Sequence, residues 1–158
     1  IVMYAATLLE EHPSIDHVHL IEKIESVVPK TRLAFIPNSL DFLRAGGRVS
    51  NIAFIGGALL KIKPCIELKE GKLVPTKRYR GNMSKVAEKL MQDYLNQYDI
   101  DRKQLYLIYS IGLDESIKRR MEESAKESGF ENVTWVQASA TISTHAGPGC
   151  FGIAGIEY

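Results

Sequence analysis

The side chains best suited to chemistry lie near the end of the chain, in the segment Ser143–Gly149, which reads Ser-Thr-His-Ala-Gly-Pro-Gly. A hydroxyl pair, Ser143 and Thr144, and the imidazole of His145 directly precede a Gly-Pro-Gly turn. Glycine permits positive φ angles and proline fixes its own φ, so this turn is expected to be rigid. It could hold His145 towards a cleft, where the imidazole could donate a hydrogen bond to a carboxylate or a phosphate. The alternative is a plain turn with a histidine on the surface.

Two basic segments are further candidates. Residues 46–50, Gly-Gly-Arg-Val-Ser, lead into an apolar helix, where backbone N–H groups and the helix dipole favour an anion. Arg48 could contact that anion or a protein partner, and an ordinary helix–loop–helix corner is the alternative. Arg80 ends the strand-like run 77–80, for which a phosphate contact, a protein contact and a solvated strand end all stay open.

The sequence does not favour a metal centre or a catalytic triad. The four histidines lack His-Glu-x-x-His spacing and the two cysteines, Cys65 and Cys150, are not paired in a motif, so we expect no metal and no cofactor. A triad needs a nucleophile on a strained turn beside an oriented base, and neither is evident around His145.

Length and composition indicate one globular domain over residues 1–158. The 20 Lys and Arg residues against 19 Asp and Glu residues leave a net charge of +1, which argues against a nucleic-acid partner. Two cysteines favour a reduced, cytoplasmic setting. No apolar run approaches the roughly 18 residues that span a bilayer, so we expect no membrane span.

Hydrophobic periodicity predicts helices alternating with strands, and therefore an α/β fold with a mixed β-sheet and helices packed on it. Ser14 is the expected N-cap of the second helix. Helices are predicted at 4–11, 15–28, 39–45, 51–60, 83–98 and 113–128, and strands at 31–36, 63–69, 72–80, 105–111, 133–138 and 153–158.

The helix predicted at 51–60 is apolar on all sides. Such a helix is normally buried in a core. The alternative is that it forms one wall of an apolar ligand tunnel, with Phe54, Ile55 and Leu59 as the lining residues.

Several motifs occur in the order and spacing of the DegV family. The matching segments are Ser39-Leu40-x-Phe42-Leu43-x-x-Gly46-Gly47-Arg48-Val49-Ser50, Leu60-Lys61-Ile62-Lys63-Pro64, Gly71-Lys72-Leu73-x-Pro75, Arg80-Gly81 and His145-Ala146-Gly147-Pro148-Gly149. Ala146 stands where the family usually has Thr, and Val49 replaces a common Ile. The chain therefore resembles DegV proteins over most of its length.

This resemblance implies a function. DegV proteins are two-domain α/β binders of a long-chain fatty acid, and some are the fatty-acid-binding subunit of a bacterial fatty acid kinase. The chain resembles their C-terminal domain, without the N-terminal domain of the parent protein. By resemblance, the carboxylate is held at the interface with that missing domain.

The resemblance also assigns residues. His145 and Thr144 are expected near the carboxylate, Arg48 and Arg80 near the head group or the kinase, and Phe54, Ile55 and Leu59 in the tunnel wall. On this reading the chain is not itself an enzyme. The alternatives are a hydrolase or acyl-transfer enzyme with His145 as general base, and a protein-interaction module that uses Arg48 and Arg80.

Overall fold

The computed structural model describes residues 1–47 and 62–158. The apolar helix expected at 51–60, and with it Arg48, Phe54, Ile55 and Leu59, lies outside the described residues. The elements in chain order are α1 (Val2–Glu11), α2 (His17–Val27), β1 (Thr31–Ile36), α3 (Asp41–Ala45), β2 (Ile62–Lys69), β3 (Lys72–Arg80), α4 (Met83–Gln97), β4 (Gln104–Tyr109), α5 (Glu115–Glu127), β5 (Asn132–Gln137), α6 (Ala140–Ala146) and β6 (Phe151–Ile156).

The strands form one mixed sheet in the order β3-β2-β1-β6-β4-β5. Among the strands of residues 1–47 and 62–158, only β4 and β5 run parallel, and every other neighbouring pair is antiparallel. The β2–β3 hairpin turns at Glu70 and Gly71. Their positive φ angles of 50° and 73° suit a two-residue hairpin turn whose backbone twist matches the twist of the two strands. The predicted fold class, a mixed sheet with helices, is confirmed.

One face of the sheet forms the main core. Because successive strand residues point to opposite faces, every second residue of the central strands points towards α4 and α5. The fully buried side chains on this face come from strands and helices alike, and include Ile36, Leu105, Leu107, Ile153, Leu90, Met91 and Met121. This packing fixes the sheet on which the candidate site is built.

The opposite face is also apolar, and its side chains are half-buried. Leu33 and Phe35 of β1, Ile108 of β4 and Ala154 of β6 lie there by strand alternation. Gly152 sits among them, and a β-carbon built on it would lie 2.9 Å from Phe35 Cβ. β6 therefore carries no side chain at Gly152, and this part of the sheet surface is a shallow depression.

Three local predictions were wrong in detail. Asp16 caps α2, because its carboxylate accepts hydrogen bonds from the N–H groups of Val18 and His19, so Ser14 is not the cap. β4 ends at Tyr109 rather than at residue 111, and β6 begins at Phe151 rather than at 153.

Helix α6 is an addition to the predicted elements. Its sequence, Ala-Thr-Ile-Ser-Thr-His-Ala, is rich in β-branched and hydroxyl residues, which are weak helix formers. Ser139 caps the helix by accepting a hydrogen bond from Ile142 N–H at 3.4 Å. His145 therefore lies in the last turn of a short helix.

Candidate functional site

His145 packs closely against the end of α3. Gly46, the C-cap of α3, faces the imidazole so closely that a β-carbon there would overlap Nδ1 and would lie 2.9 Å from Cε1. Next to it, Gly147 faces the ring of Phe42, with 2.9 Å from a built β-carbon to Cγ. These glycines let α3 and α6 approach each other with His145 between them, so the imidazole does not point into bulk solvent.

The Nδ1 atom of His145 is buried, and within the described residues it has no hydrogen-bond partner. The ring as a whole is half-buried. Most buried polar atoms in proteins are paired, because an unpaired one loses its hydration without compensation. An unpaired buried imidazole nitrogen is therefore a place where an external hydrogen-bonding group would be favoured.

The turn that follows α6 has the backbone expected from its sequence. Gly147 and Gly149 adopt positive φ angles of 75° and 74°. The backbone N–H of Gly149 donates to the carbonyl of Ile111 at 2.9 Å, and the Ser110 hydroxyl donates to the carbonyl of Gly147 at 2.6 Å. The turn is thus tied to the residues just after β4.

The candidate groups converge on one end of the sheet. Ile36 at the end of β1 and Tyr109 at the end of β4 both pair with Phe151 at the start of β6. The turn that holds His145 leads directly into that start. The site lies where these three central strands meet α3 and α6.

Lys63 and Asn38 belong to the same end of the sheet, and the sequence did not predict either of them as a site residue. The Lys63 ammonium donates to the backbone oxygen of Asn38 at 2.6 Å and to its Oδ1 at 2.8 Å. Partial burial lowers the pKa of Lys63. The amide nitrogen of Asn38 would lie 3.0 Å from a β-carbon on Gly149, so this pair borders the histidine turn.

Thr144 is exposed, and its hydroxyl donates to the carbonyl of Ala140 one turn earlier at 2.8 Å. The hydroxyl of Ser143 likewise donates to the carbonyl of Ala138 at 3.2 Å. Both protons are therefore used within α6 and its lead-in, and neither is donated to His145.

Arg80 is exposed at the end of β3, the strand at the edge of the sheet, and pairs with Ile62 at the start of β2. It thus lies at the same end of the sheet as Lys63. β3 is three strands away from β6, about 14 Å at the usual spacing between strands. The fold places Arg80 at the rim and not beside His145.

Both cysteines are free thiols, outside any disulfide. Neither is suited to nucleophilic attack, because both are buried. Burial raises the pKa of Cys65 to about 11 and that of Cys150 to about 12, so both are protonated at neutral pH. Across residues 1–47 and 62–158, no three His, Cys, Asp or Glu side chains are grouped to hold a metal ion. Over the same residues, no helix has the length and apolar character needed to cross a bilayer.

Comparison with known proteins decides the family. A sequence family described as uncharacterised proteins of the DegV family matches residues 1–157. The chain belongs to the DegV family. A DegV domain-containing protein of Deinococcus radiodurans is 27% identical over 97% of this chain and 53% of its own length.

Solved DegV structures share the fold. A DegV family protein from Thermus thermophilus, described as binding fatty acid, superposes with a TM-score of 0.77 at 25% identity, over 99% of this chain and 55% of that one. The Streptococcus pneumoniae fatty acid kinase B3 protein, solved with linoleic acid, gives a TM-score of 0.78 at 19% identity, over 99% of this chain and 54% of that one. This chain spans about half the length of the DegV proteins it matches.

Proposed function

We propose that this DegV chain binds a long-chain fatty acid, with the carboxylate beside His145 and the acyl chain along the apolar sheet face opposite α4 and α5. The observation that carries the proposal is the buried Nδ1 of His145, which no described group of the chain pairs. A carboxylate taken out of water needs hydrogen-bond donors, because leaving it unpaired in an apolar site is very costly. Nδ1 is such a donor in the tautomer that carries its proton.

The acyl chain would lie on the half-buried face formed by Leu33, Phe35, Ile108 and Ala154. Each buried methylene contributes about 0.8 kcal/mol, so an aliphatic chain can bind tightly without chemistry.

A small apolar cluster leads from this face to the histidine. Leu43 and Leu40 at α3 pack with Phe35 and Ile66, and α3 ends at Gly46 against the imidazole. These apolar side chains thus lie between the sheet face and the proposed head-group position. We keep Phe54, Ile55 and Leu59 as the proposed tunnel wall.

The Thermus thermophilus relative supports the ligand class, since it is described as binding fatty acid. We further propose that residues 1–158 are the C-terminal domain of a two-domain protein, and that an N-terminal domain closes over the carboxylate. Under this proposal, Thr144 lies exposed on the side of α6 that the other domain would cover.

We also propose that the chain is a binding subunit and not an enzyme, and that it acts in the cytoplasm. The hydroxyls of Ser110, Ser143 and Thr144 all donate to backbone carbonyls, so none is poised to pass a proton to His145. Arg80 at the rim, with Arg48, would then face a fatty acid kinase that phosphorylates the presented carboxylate.

The test is fatty-acid binding by the protein encoded by the complete gene. Native mass spectrometry should find a copurifying fatty acid, and added oleate or palmitate should bind. We expect His145→Ala to weaken binding about 10- to 100-fold, as for the loss of a hydrogen bond to a charged group. The matched control is His17→Ala, an exposed histidine on α2, which should bind as the parent does.

Two results would count against the proposal. If no fatty acid copurifies and neither added oleate nor added palmitate binds, the proposed function is wrong. Equal affinity in His145→Ala and the parent protein would remove His145 from the site. Turnover in a hydrolase or acyl-transfer assay that His145→Ala abolishes would favour the enzyme alternative.

A further inference from the structure

Ser110 is a polar side chain with no exposed surface, and it lies just after β4. Its Oγ donates to the carbonyl of Gly147 at 2.6 Å and accepts a hydrogen bond from the N–H of Cys150 at 2.8 Å. Its own backbone N–H donates to the carbonyl of Cys150 at 3.3 Å. One buried hydroxyl thus closes both ends of the turn from Gly147 to Cys150.

The position of this turn matters for His145. Gly147 is the C-cap of α6, two residues after His145, and its own N–H closes the helix on the carbonyl of Ser143. On its other side, Gly147 touches the ring of Phe42 on α3. The last turn of α6 is therefore held between Ser110 and α3.

A hydroxyl is suited to this position because it donates and accepts at once. Without it, the Gly147 carbonyl and the Cys150 N–H would both be buried and lack this partner. Each could recover a partner only by moving the turn. A moved turn would carry the end of α6, and with it the imidazole, away from Gly46.

We infer that Ser110 is a positioning residue, whose hydroxyl sets the direction of the His145 imidazole by tying the Gly147–Cys150 turn to the end of β4. The inference deepens the proposed function and rests on it for the purpose of His145, although the positioning itself concerns only this chain's own residues.

The experiment compares Ser110→Ala with Ser128→Ala in the complete protein. Ser128 is a matched control, because its hydroxyl donates to a backbone carbonyl, that of Ser124 at 2.8 Å, at the end of α5 and before a glycine with positive φ. The first readout is the set of ring ¹⁵N and ¹³C resonances of His145 at one fixed pH. The second is the affinity for oleate.

We expect Ser110→Ala to shift the ring resonances of His145, and Ser128→Ala to leave them unchanged. Oleate affinity should fall about two- to tenfold in Ser110→Ala, the range that one ordinary hydrogen bond represents. His145 resonances identical to those of the parent in a folded Ser110→Ala variant would overturn the inference.

A third measurement decides the case in which Ser110→Ala does not fold. In the parent protein, the amide proton of Cys150 should exchange with solvent as slowly as those of the central strands, because the buried hydroxyl holds it. Rapid exchange would overturn the inference. If the parent binds no oleate, the proposed function fails, while the His145 resonances still test the positioning.

Discussion

Glu67 and His145 each place polar atoms in the interior, but they differ in whether those atoms have hydrogen-bond partners. Glu67 is 3% exposed, in a sheet strand packed against α4. Its carboxylate accepts from the hydroxyl of Thr76 at 2.5 Å and from that of Tyr98 at 2.7 Å, and Lys69 lies at 3.4 Å. The protein itself satisfies this buried charge.

His145 shows the other arrangement, since its Nδ1 is buried and unpaired within the described residues. Gly46 faces the ring so closely that a β-carbon there would overlap Nδ1, so the backbone of Gly46 bounds that side of the imidazole. The contrast separates a polar group that the protein itself satisfies from one that the described residues leave unpaired. The hydrogen bonds of Glu67 are all internal and hold the fold together, whereas His145 Nδ1 lacks a partner among the described residues. Under the proposed function, that atom is available to the ligand.

The largest effect expected from this contrast is on stability at Glu67. Glu67→Ala should lower the free energy of unfolding by about 3 kcal/mol, because two hydroxyls lose a charged acceptor in a buried position. Urea unfolding measures the change. Glu25→Ala, an exposed glutamate on α2, is the control and should change stability by no more than about 0.5 kcal/mol. Equal effects of the two substitutions would contradict the structural role of Glu67.

The pH dependence of stability also tests the structural role of Glu67. Burial acts to raise the pKa of Glu67, but the hydrogen bonds from Thr76 and Tyr98 and the charge of Lys69 outweigh it, so the pKa lies below the ordinary 4.5. The ionised group therefore stabilises the fold fully above the unfolded-state pKa, and the contribution is lost as the pH falls through the folded-state value.

Glu67→Gln should remove this share of the acid sensitivity. Unfolding free energies measured from about pH 7 to about pH 3 should fall less steeply for Glu67→Gln than for the parent chain. Parallel curves for the two proteins would mean that Glu67 has the same pKa folded and unfolded, against the arrangement described above.

The smallest expected effect concerns His145, the unpaired group of the comparison. Gly46→Ala places a methyl group against the imidazole, at a backbone φ of −79° that alanine adopts without strain. We expect fatty-acid affinity to fall about tenfold, or about 1.4 kcal/mol, because His145 must move. Isothermal titration calorimetry on the complete protein measures it.

The neighbouring glycine supplies the control for that variant. Gly47 has a φ of 68°, and no atom of the described residues lies within 4 Å of a β-carbon built on it, so Gly47→Ala should cost about 1 kcal/mol of stability through backbone strain and leave affinity unchanged. An equal loss of affinity in the two variants would show that general destabilisation, and not the histidine, governs binding.

Much of the fold was predictable because its signals are local. Alternation in 31–36 and the Glu70-Gly71 turn placed β1 and the β2–β3 hairpin, and these predictions are confirmed. The Gly-Pro-Gly turn was also predicted, since positive φ is a property of glycine itself. Helix α6 was missed, because its residues are poor helix formers and its stability comes from Ser139 and from contact with α3.

The site was less predictable. His145 was singled out from its turn, and the motifs of the DegV family assigned it a role. Nothing near His145 in the sequence indicated that Gly46 would press against it or that Ser110 would hold its turn. The burial of Glu67 was equally hidden, because its acceptor role depends on Tyr98, a residue 31 positions away.

Local signals account for most of the helices and strands, though not for α6, and for the stiff turn after His145 and the motifs of the DegV family, because dihedral preferences and motif spacing are carried by adjacent residues. The three-dimensional fold sets which polar atoms are paired, as at Glu67, and which lack a partner among the described residues, as at His145 Nδ1. The physical reason is that a hydrogen bond needs a partner at a defined distance and angle, and in this fold those partners come from strands and helices far apart in the chain.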